Sequence, residues 1–219
     1  MARSEALSLY IPLGATLGVL SAVILPPEWL AAMATSLGGA TAKGYWYLAR
    51  ASGVVAYLLL WGSVVLGLTI TSRLSRLWPG GPEAVAVHQF TSLLALSMAA
   101  LHVLMLLGDR YMAYSWPELL LPFAAGRYRR LWVGLGQAGA YLAAVVALSF
   151  YTRRAIGSRT WRLIHFSSFV VYLMVLAHGL GVGTDAGAAL LVGVYAGTGL
   201  LTYSLTVYRL LVSAHAARG

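Results

Sequence analysis

Six stretches of the chain are long and apolar enough to cross a lipid bilayer, and few charged residues interrupt them. A membrane-spanning helix needs about 20 mostly apolar residues, because the hydrocarbon core is about 30 Å thick. Within lipid the backbone must satisfy its own hydrogen bonds, so segments of this kind fold as helices. The sequence therefore predicts an all-α membrane protein, a six-transmembrane-helix bundle that makes residues 1–219 a single domain in contact with the lipid bilayer. The predicted spans cover residues 7–25, 45–70, 85–107, 131–150, 163–182 and 187–211.

Composition supports this class and excludes others. Of the 219 residues, 60% are hydrophobic and 10% are charged, whereas soluble domains carry about 25% charged residues. The chain has no cysteine, which excludes disulfides, thiolate-held iron–sulfur clusters and haem attached through cysteine. The net charge of +9 does not indicate nucleic-acid binding, because the arginines lie in short loops beside apolar spans, where they orient the chain.

The distribution of basic residues predicts that orientation, because cytoplasmic loops are enriched in Lys and Arg. With both termini in the cytoplasm, nine of the 15 basic residues lie inside and six lie outside, including the cluster Arg127, Arg129 and Arg130. We therefore expect a multi-pass protein of the plasma membrane. The first apolar run, of about 19 residues, exceeds the 7–15 residues of a signal-peptide core, so it is predicted to remain as a helix.

Turn signals separate the spans. The second span ends near Thr71 and is followed by the turn signal Trp78 to Pro82. A longer loop fills residues 108–130, and the fourth span ends at Arg153-Arg154. The connection Gly181 to Gly187 is so short that the last two spans are predicted to form a tight antiparallel hairpin.

Two of the spans each contain a pair of histidines. The third span carries His88 and His102, with a spacing of 14, and the fifth carries His165 and His178, with a spacing of 13. At about 1.5 Å per residue, each pair covers about 20 Å of helix, so one histidine lies near each side of the bilayer. Both spans run outward from cytoplasmic loops, which puts His88 level with His165 and His102 level with His178. Two bis-histidine haem sites, one above the other, would form a path for electrons across the membrane.

The histidines also have a simpler interpretation. A lone histidine in a buried helix is more often a hydrogen-bonded core residue than a ligand, but two matched pairs favour ligation, and ionisable residues in membranes default to a functional role. A spacing of 14 returns to within about 40° of the same helix face, whereas 13 lands about 140° away. For His165 and His178 both to face the interior, the fifth helix must be tilted, pass between the two haem planes, or contain a tightened, 3₁₀-like turn.

Arginines near the histidine levels are candidates to bind cofactor carboxylates. Arg50 begins the second span at the outer side, where we expect it to pair with a propionate of the outer haem. The alternative is an arginine that reaches to lipid headgroups. Arg76 and Arg162 are weaker candidates at the inner side.

The run Gly134-x-Gly136-x-x-Gly139 matches a nucleotide-binding fingerprint only weakly. It lies inside a membrane span and no strand precedes it. We interpret these glycines as small residues that let helices approach closely.

The histidine pattern and its flanks resemble the ferric-reductase-like transmembrane domain, the six-helix haem module of NADPH oxidases and metal reductases, in its stand-alone bacterial form. In that family the third and fifth helices carry two histidines each, spaced 14 and 13. The resemblance covers about residues 40–211. Besides the histidines, it rests on Tyr47 to Gly67, Leu119 to Phe123, Trp161-Arg162 and His178 to Asp185.

The resemblance implies a dihaem b-type membrane cytochrome. Two haem b groups, ligated by His88 with His165 and by His102 with His178, would carry single electrons from a cytoplasmic-side donor to an outer-face acceptor such as ferric iron, dioxygen or a partner protein. The chain would be an oxidoreductase component rather than a self-sufficient enzyme. Since only eight residues follow the last span, we expect electrons to come from a separate flavoprotein or other redox partner, or from a bound flavin or quinone.

Two other functions fit the sequence. One is a quinone-linked haem membrane anchor subunit of a redox enzyme, which would have a quinone-binding cleft at one haem edge. The other is a non-redox membrane protein, such as a transporter or assembly factor, whose histidines relay protons. The paired spacing favours haem, because a proton path does not need it.

Overall fold

The computed structural model describes residues 43–71, 81–126, 128–183 and 185–216, together with Ala32 and Thr35. All regular secondary structure in these ranges is helical. The predicted first span, both chain ends, Arg76 and Arg127 lie outside the described residues. The helices are α1 (Gly44–Thr71), α2 (Gly81–Gly108), α3 (Trp116–Leu120), α4 (Arg130–Ile156), α5 (Ser158–Phe166), α6 (Ser168–Val182) and α7 (Ala189–Ala216).

Five helical stretches of the described chain are long and apolar enough to cross a membrane, namely α1, α2, α4, α5 together with α6, and α7. They confirm the second to sixth predicted spans as helices. Each has 25 to 28 residues, or about 38 Å of helix at the least, which exceeds the hydrocarbon core. Many large apolar side chains, such as those of Leu190 and Leu200, are exposed, as lipid-facing positions require. These features indicate a multi-pass membrane protein.

Four helix boundaries lie four to six residues beyond the predicted spans: α5 begins at Ser158, α7 ends at Ala216, and the start of α2 and the end of α4 each have a local reason. α2 begins four residues early and takes Pro82 into its first turn, where the missing proline N–H is not needed. α4 continues through Arg153 and Arg154 to Ile156, because basic side chains in a last turn favour the helix C-terminus. It ends at Gly157, whose φ of +80° suits glycine.

The fifth predicted span is divided at Ser167. The Ser167 amide donates to the Ile164 carbonyl at 3.1 Å, an i→i−3 bond that tightens the turn in the manner of a 3₁₀-helix. The Ser167 hydroxyl donates to the same carbonyl at 2.6 Å. The Val171 amide then donates to the Ser167 carbonyl, which restores the α-helical pattern. The distortion expected between His165 and His178 therefore lies two residues after His165.

The loop between α2 and α4 contains α3 and packs against α4. The Gln137 side chain donates to the carbonyl oxygens of Glu118 and Leu119 at 2.7 and 2.8 Å. It accepts from the Phe123 amide at 3.2 Å. Burial and the nearby Glu118 raise the pKa of the Tyr114 hydroxyl in this loop, which keeps the phenol neutral. These hydrogen bonds hold the loop against the N-terminal part of α4.

The chain divides into two compact units, residues 1–47 and 48–219. In the second unit, a buried cluster joins α1, α6 and α7. The hydroxyl of Tyr57 forms a hydrogen bond with that of Thr198, and its ring centre lies 6.2 Å from that of Tyr172. Along the chain, Tyr172 of this cluster lies between His165 and His178.

Candidate functional site

The structure brings the four histidines together in the two cross-helix pairs expected from their depths. His88 on α2 and His165 on α5 have ring centres 6.0 Å apart and ring planes at 71°. His102 on α2 and His178 on α6 have ring centres 6.3 Å apart and ring planes at 82°. We refer to these as the His88–His165 pair and the His102–His178 pair. About 21 Å of α2 separates them.

In three of the four imidazoles, Nδ1 forms a hydrogen bond with a backbone carbonyl of a neighbouring helix. Two of the acceptors belong to α1 and one to α4. Because a carbonyl oxygen only accepts, Nδ1 carries the proton in each of these rings. The bonds join His88 to Ser63 at 3.0 Å, His102 to Ala49 at 2.6 Å, and His178 to Trp132 at 2.9 Å.

This arrangement leaves Nε2 as the nitrogen with a free lone pair. A neutral imidazole has one N–H, so a ring that donates from Nδ1 can ligate a metal only through Nε2. Metal-bound histidines almost always donate their other ring nitrogen to a carbonyl or carboxylate, which fixes the tautomer and the ring orientation. The three imidazoles are therefore held in the form that a metal ligand requires.

Two serines extend the contacts of His88. The Ser63 hydroxyl lies 3.2 Å from His88 Nδ1 and 2.7 Å from the hydroxyl of Ser92. The Ser92 hydroxyl donates to the His88 carbonyl at 2.7 Å. Ser63 is only 5% exposed, so this small network is buried between α1 and α2.

His165 is held differently from the other three. Its ring stacks on that of Trp161, one turn earlier in α5, at 5.2 Å and 27°. No hydrogen bond to a His165 ring nitrogen occurs within the described residues. The indole N–H of Trp161 is buried and has no acceptor among them either. Such orphaned donors are uncommon in native structures, so the acceptor of the Trp161 N–H is a group other than the described residues.

The ring separations suit a metal ion between each pair. With metal–nitrogen bonds of about 2.1 Å, and each ring centre roughly 1.1 Å behind its nitrogen, two imidazoles on one axis lie about 6.4 Å apart. Edge-to-face ring contacts cover the same distances. For the His102–His178 pair, a protonated Nδ1 leaves Nε2 as the nitrogen through which each ring can bind a metal ion.

The number of ligands further restricts the metal. No group of three or more His, Asp or Glu residues capable of holding an ion occurs in the described part of the chain. A bare zinc ion takes three or four protein ligands, which neither pair can supply. Haem brings four nitrogens of its own and needs only axial ligands from the protein. Two imidazoles therefore fit haem, whereas a zinc ion would need further ligands.

Arg50 forms an ion pair with Asp185, in the connection between α6 and α7. Arg50 follows the residue whose carbonyl holds His102, and Asp185 lies seven residues after His178. Both side chains are partly exposed, 29% and 45%. The pair therefore places one positive and one negative charge at the His102–His178 end. Pairing of Arg50 with a cofactor carboxylate remains a prediction.

The weaker candidates lie as follows. Arg162 is exposed on α5, three residues before His165, and Arg76 falls outside the described residues. Gly136, which we interpreted as a close helix contact, lies directly against the ring of His178.

The sequence interpretation missed the carbonyl acceptors on α1 and α4. A backbone acceptor has no residue type of its own, so it left no direct signal. An indirect signal was present in Gly53 and Gly67, whose spacing equals that of His88 and His102. No protein-family model, curated protein or solved structure matches the chain.

Proposed function

We propose that this protein is a dihaem b-type membrane cytochrome of the ferric-reductase-like kind. In this proposal it spans the plasma membrane six times with both termini cytoplasmic. It carries single electrons from a cytoplasmic-side donor to an acceptor at the outer face, either ferric iron, dioxygen or a partner protein. The donor is a separate flavoprotein or another redox partner.

One observation carries the proposal. Two pairs of imidazoles lie at levels about 21 Å apart along α2, with ring centres 6.0 and 6.3 Å apart, and three of the four rings have Nε2 as the nitrogen without the proton. A bound haem would supply a one-electron iron couple at each level. A proton relay does not need two imidazole pairs with matched ring separations.

The chain's own groups each have a task in this proposal. The carbonyls of Ser63, Ala49 and Trp132 hold the ligand rings in one tautomer and orientation. Buried in the same bundle, Trp161 offers an indole N–H that a haem carboxylate could accept. The lipid-spanning helices would limit the access of water to both sites.

Vesicle experiments test whether electrons cross. The purified full chain is reconstituted into liposomes with ferricyanide trapped inside, and a membrane-impermeant reductant is added outside. We expect the trapped ferricyanide to bleach only in vesicles that contain the protein. His88→Ala and His102→Ala are matched controls, each of which removes one level of the path and should abolish the bleaching. Equal bleaching in both variants and the wild type would contradict the proposal.

A further inference from the structure

Three glycines on α1 and α4 lie against ligand rings. Each Nδ1-bonded histidine has one of them: Gly53 faces His102, Gly67 faces His88, and Gly136 faces His178. A Cβ added at Gly53 would lie 3.0 Å from His102 Nδ1, and one at Gly67 would lie 3.6 Å from His88 Cε1. A Cβ added at Gly136 would overlap the ring of His178. The available space therefore decreases from Gly67 to Gly53 to Gly136.

Each glycine is four residues after the carbonyl that holds the same ring. The three combinations are Ala49 with Gly53, Ser63 with Gly67, and Trp132 with Gly136. In an α-helix a side chain leans toward the N-terminus and covers the turn before its own Cα. A side chain at position i+4 would therefore cover the carbonyl of residue i. Glycine at that position leaves the carbonyl open to a donor from another helix.

The same rule explains the spacing along the chain. Gly53 and Gly67 are separated by the same interval as His88 and His102. Gly53 meets the later histidine and Gly67 the earlier one, as antiparallel helices require. α1 thus presents two open carbonyls at the interval at which α2 presents two imidazoles.

The two histidine pairs are held unequally. In the His102–His178 pair, both rings have a carbonyl and a close glycine, from α1 on one side and α4 on the other. In the His88–His165 pair, only His88 has them, and its glycine leaves room for an added methyl group. His165 depends on Trp161 for its position.

We propose that Gly53 and Gly136 are positioning residues that make the His102–His178 pair a preformed haem site, whereas the His88–His165 pair is completed only when the cofactor binds. The proposal rests on the proposed function for the identity of the ligand. It predicts that haem binds more tightly to the His102–His178 pair, because less ordering of side chains accompanies binding there.

Glycine-to-alanine variants of the full chain test the positioning role. We expect Gly136→Ala to lose nearly all haem from the His102–His178 pair, Gly53→Ala to lose part of it and shift its midpoint potential, and Gly67→Ala to keep both haems. Gly62→Ala is the neutral control on α1, since nothing lies within 4 Å of its added Cβ. Gly134→Ala is the control for a steric clash elsewhere, because its Cβ would overlap Phe123 and not a histidine. The measured quantities are the number of haems per chain, the low-spin ferric signal in electron paramagnetic resonance, and the midpoint potential of each haem.

A double-mutant cycle of thermal stability tests the positioning role of Gly136 even if the purified protein binds little haem. Thermal unfolding of the purified full chain is compared for the wild type, Gly136→Ala, His178→Ala and the double variant. We expect Gly136→Ala to lower the midpoint temperature of unfolding in the wild-type background but not in the His178→Ala background. In the latter the imidazole that the added methyl group displaces is absent. An equal effect in both backgrounds would overturn the positioning role, as would equal haem loss from Gly134→Ala and Gly136→Ala. A wild type without haem would refute the proposed function, while the cycle would still report on the glycine.

Unequal affinity is measured by titrating haem into the full chain prepared without it. We expect the first equivalent to bind to the His102–His178 pair, so that His88→Ala leaves the first phase unchanged and His102→Ala removes it. First-phase binding that survives His102→Ala and disappears in His88→Ala would overturn the proposed order.

Discussion

At the scale of single residues, the imidazole tautomer is the feature that most restricts function. A ring that donates from Nδ1 has its lone pair on Nε2, the nitrogen through which it can bind a metal ion. His102 and His178 both bond through Nδ1 to a backbone carbonyl, and their ring centres lie 6.3 Å apart. In the proposed function, the haem iron is the partner of both Nε2 atoms.

Removing one ligand should empty one site only, because the two pairs share α2 but no ligand. We expect His102→Ala or His178→Ala to eliminate the haem of that pair and to leave the His88–His165 haem bound. Added imidazole should restore the lost signal by occupying the space of the missing ring. Visible spectra and haem quantification of each variant check this. Loss of both haems from either substitution would contradict the independence of the sites.

The Arg50–Asp185 pair should tune the nearer site electrostatically. Reduction adds a negative charge, which a positive neighbour favours and a negative one opposes. We expect Arg50→Ala to lower, and Asp185→Asn to raise, the midpoint potential of the His102–His178 haem. Each shift should be about 10–40 mV, the equivalent of roughly 0.2–1 kcal/mol for partly exposed charges.

Redox titration of the two haems measures these shifts. Arg153→Ala is the control, since Arg153 is exposed in the last turn of α4, and it should leave the His102–His178 potential unchanged. If the two variants shift the potential in the same direction, or not at all, Arg50 has no electrostatic role and the headgroup interpretation is favoured.

At the scale of elements, each helix has a defined share of the site. α2 carries one histidine of each pair, α1 supplies the carbonyls that bond to both of these histidines, and α5 and α6 carry the opposing histidines. The break at Ser167 separates α5 from α6. His165 and His178 therefore need not point about 140° apart, as a spacing of 13 residues in one straight helix would require. The two histidines can then each meet the partner on α2.

Substitutions at Ser167 test the role of this break. Ser167→Ala loses one hydroxyl bond, worth about 0.5–1.5 kcal/mol, and should lower the thermal stability slightly while both haems remain. Ser167→Pro removes the amide that bonds to Ile164 and disfavours the helical conformation of Phe166, at a cost of about 3 kcal/mol. We expect it to empty the His88–His165 site selectively, as judged from spectra and haem content. Retention of both haems in Ser167→Pro would show that the tightened turn does not position His165.

At the scale of the whole molecule, much of the architecture could be predicted from the sequence. Long apolar runs predict helices because a backbone in lipid must satisfy its own hydrogen bonds. Five predicted spans are helical over the described residues. The interval between His165 and His178 also indicated a distortion before its position was known. α3 was not predicted, because so short a helix, held by side chains of α4, has no periodicity to detect.

Of the candidate site, only the four histidines could be predicted from the sequence. The histidines have a residue type that can be recognised, and their depths gave the pairing that the structure shows. The acceptors at Ala49, Ser63 and Trp132 are backbone atoms, and their accessibility depends on glycines four residues later. The partner of Arg50 is Asp185, near the other end of the chain, so no local pattern could reveal it.

Haem quantification combined with electron paramagnetic resonance of the purified full chain tests the central claim most directly. The proposal predicts two b-type haems per polypeptide, both low-spin, with strongly anisotropic signals because the ligand planes cross at 71° and 82°. Purified protein that takes up no haem, and shows no low-spin ferric signal after incubation with it, would contradict the proposed function.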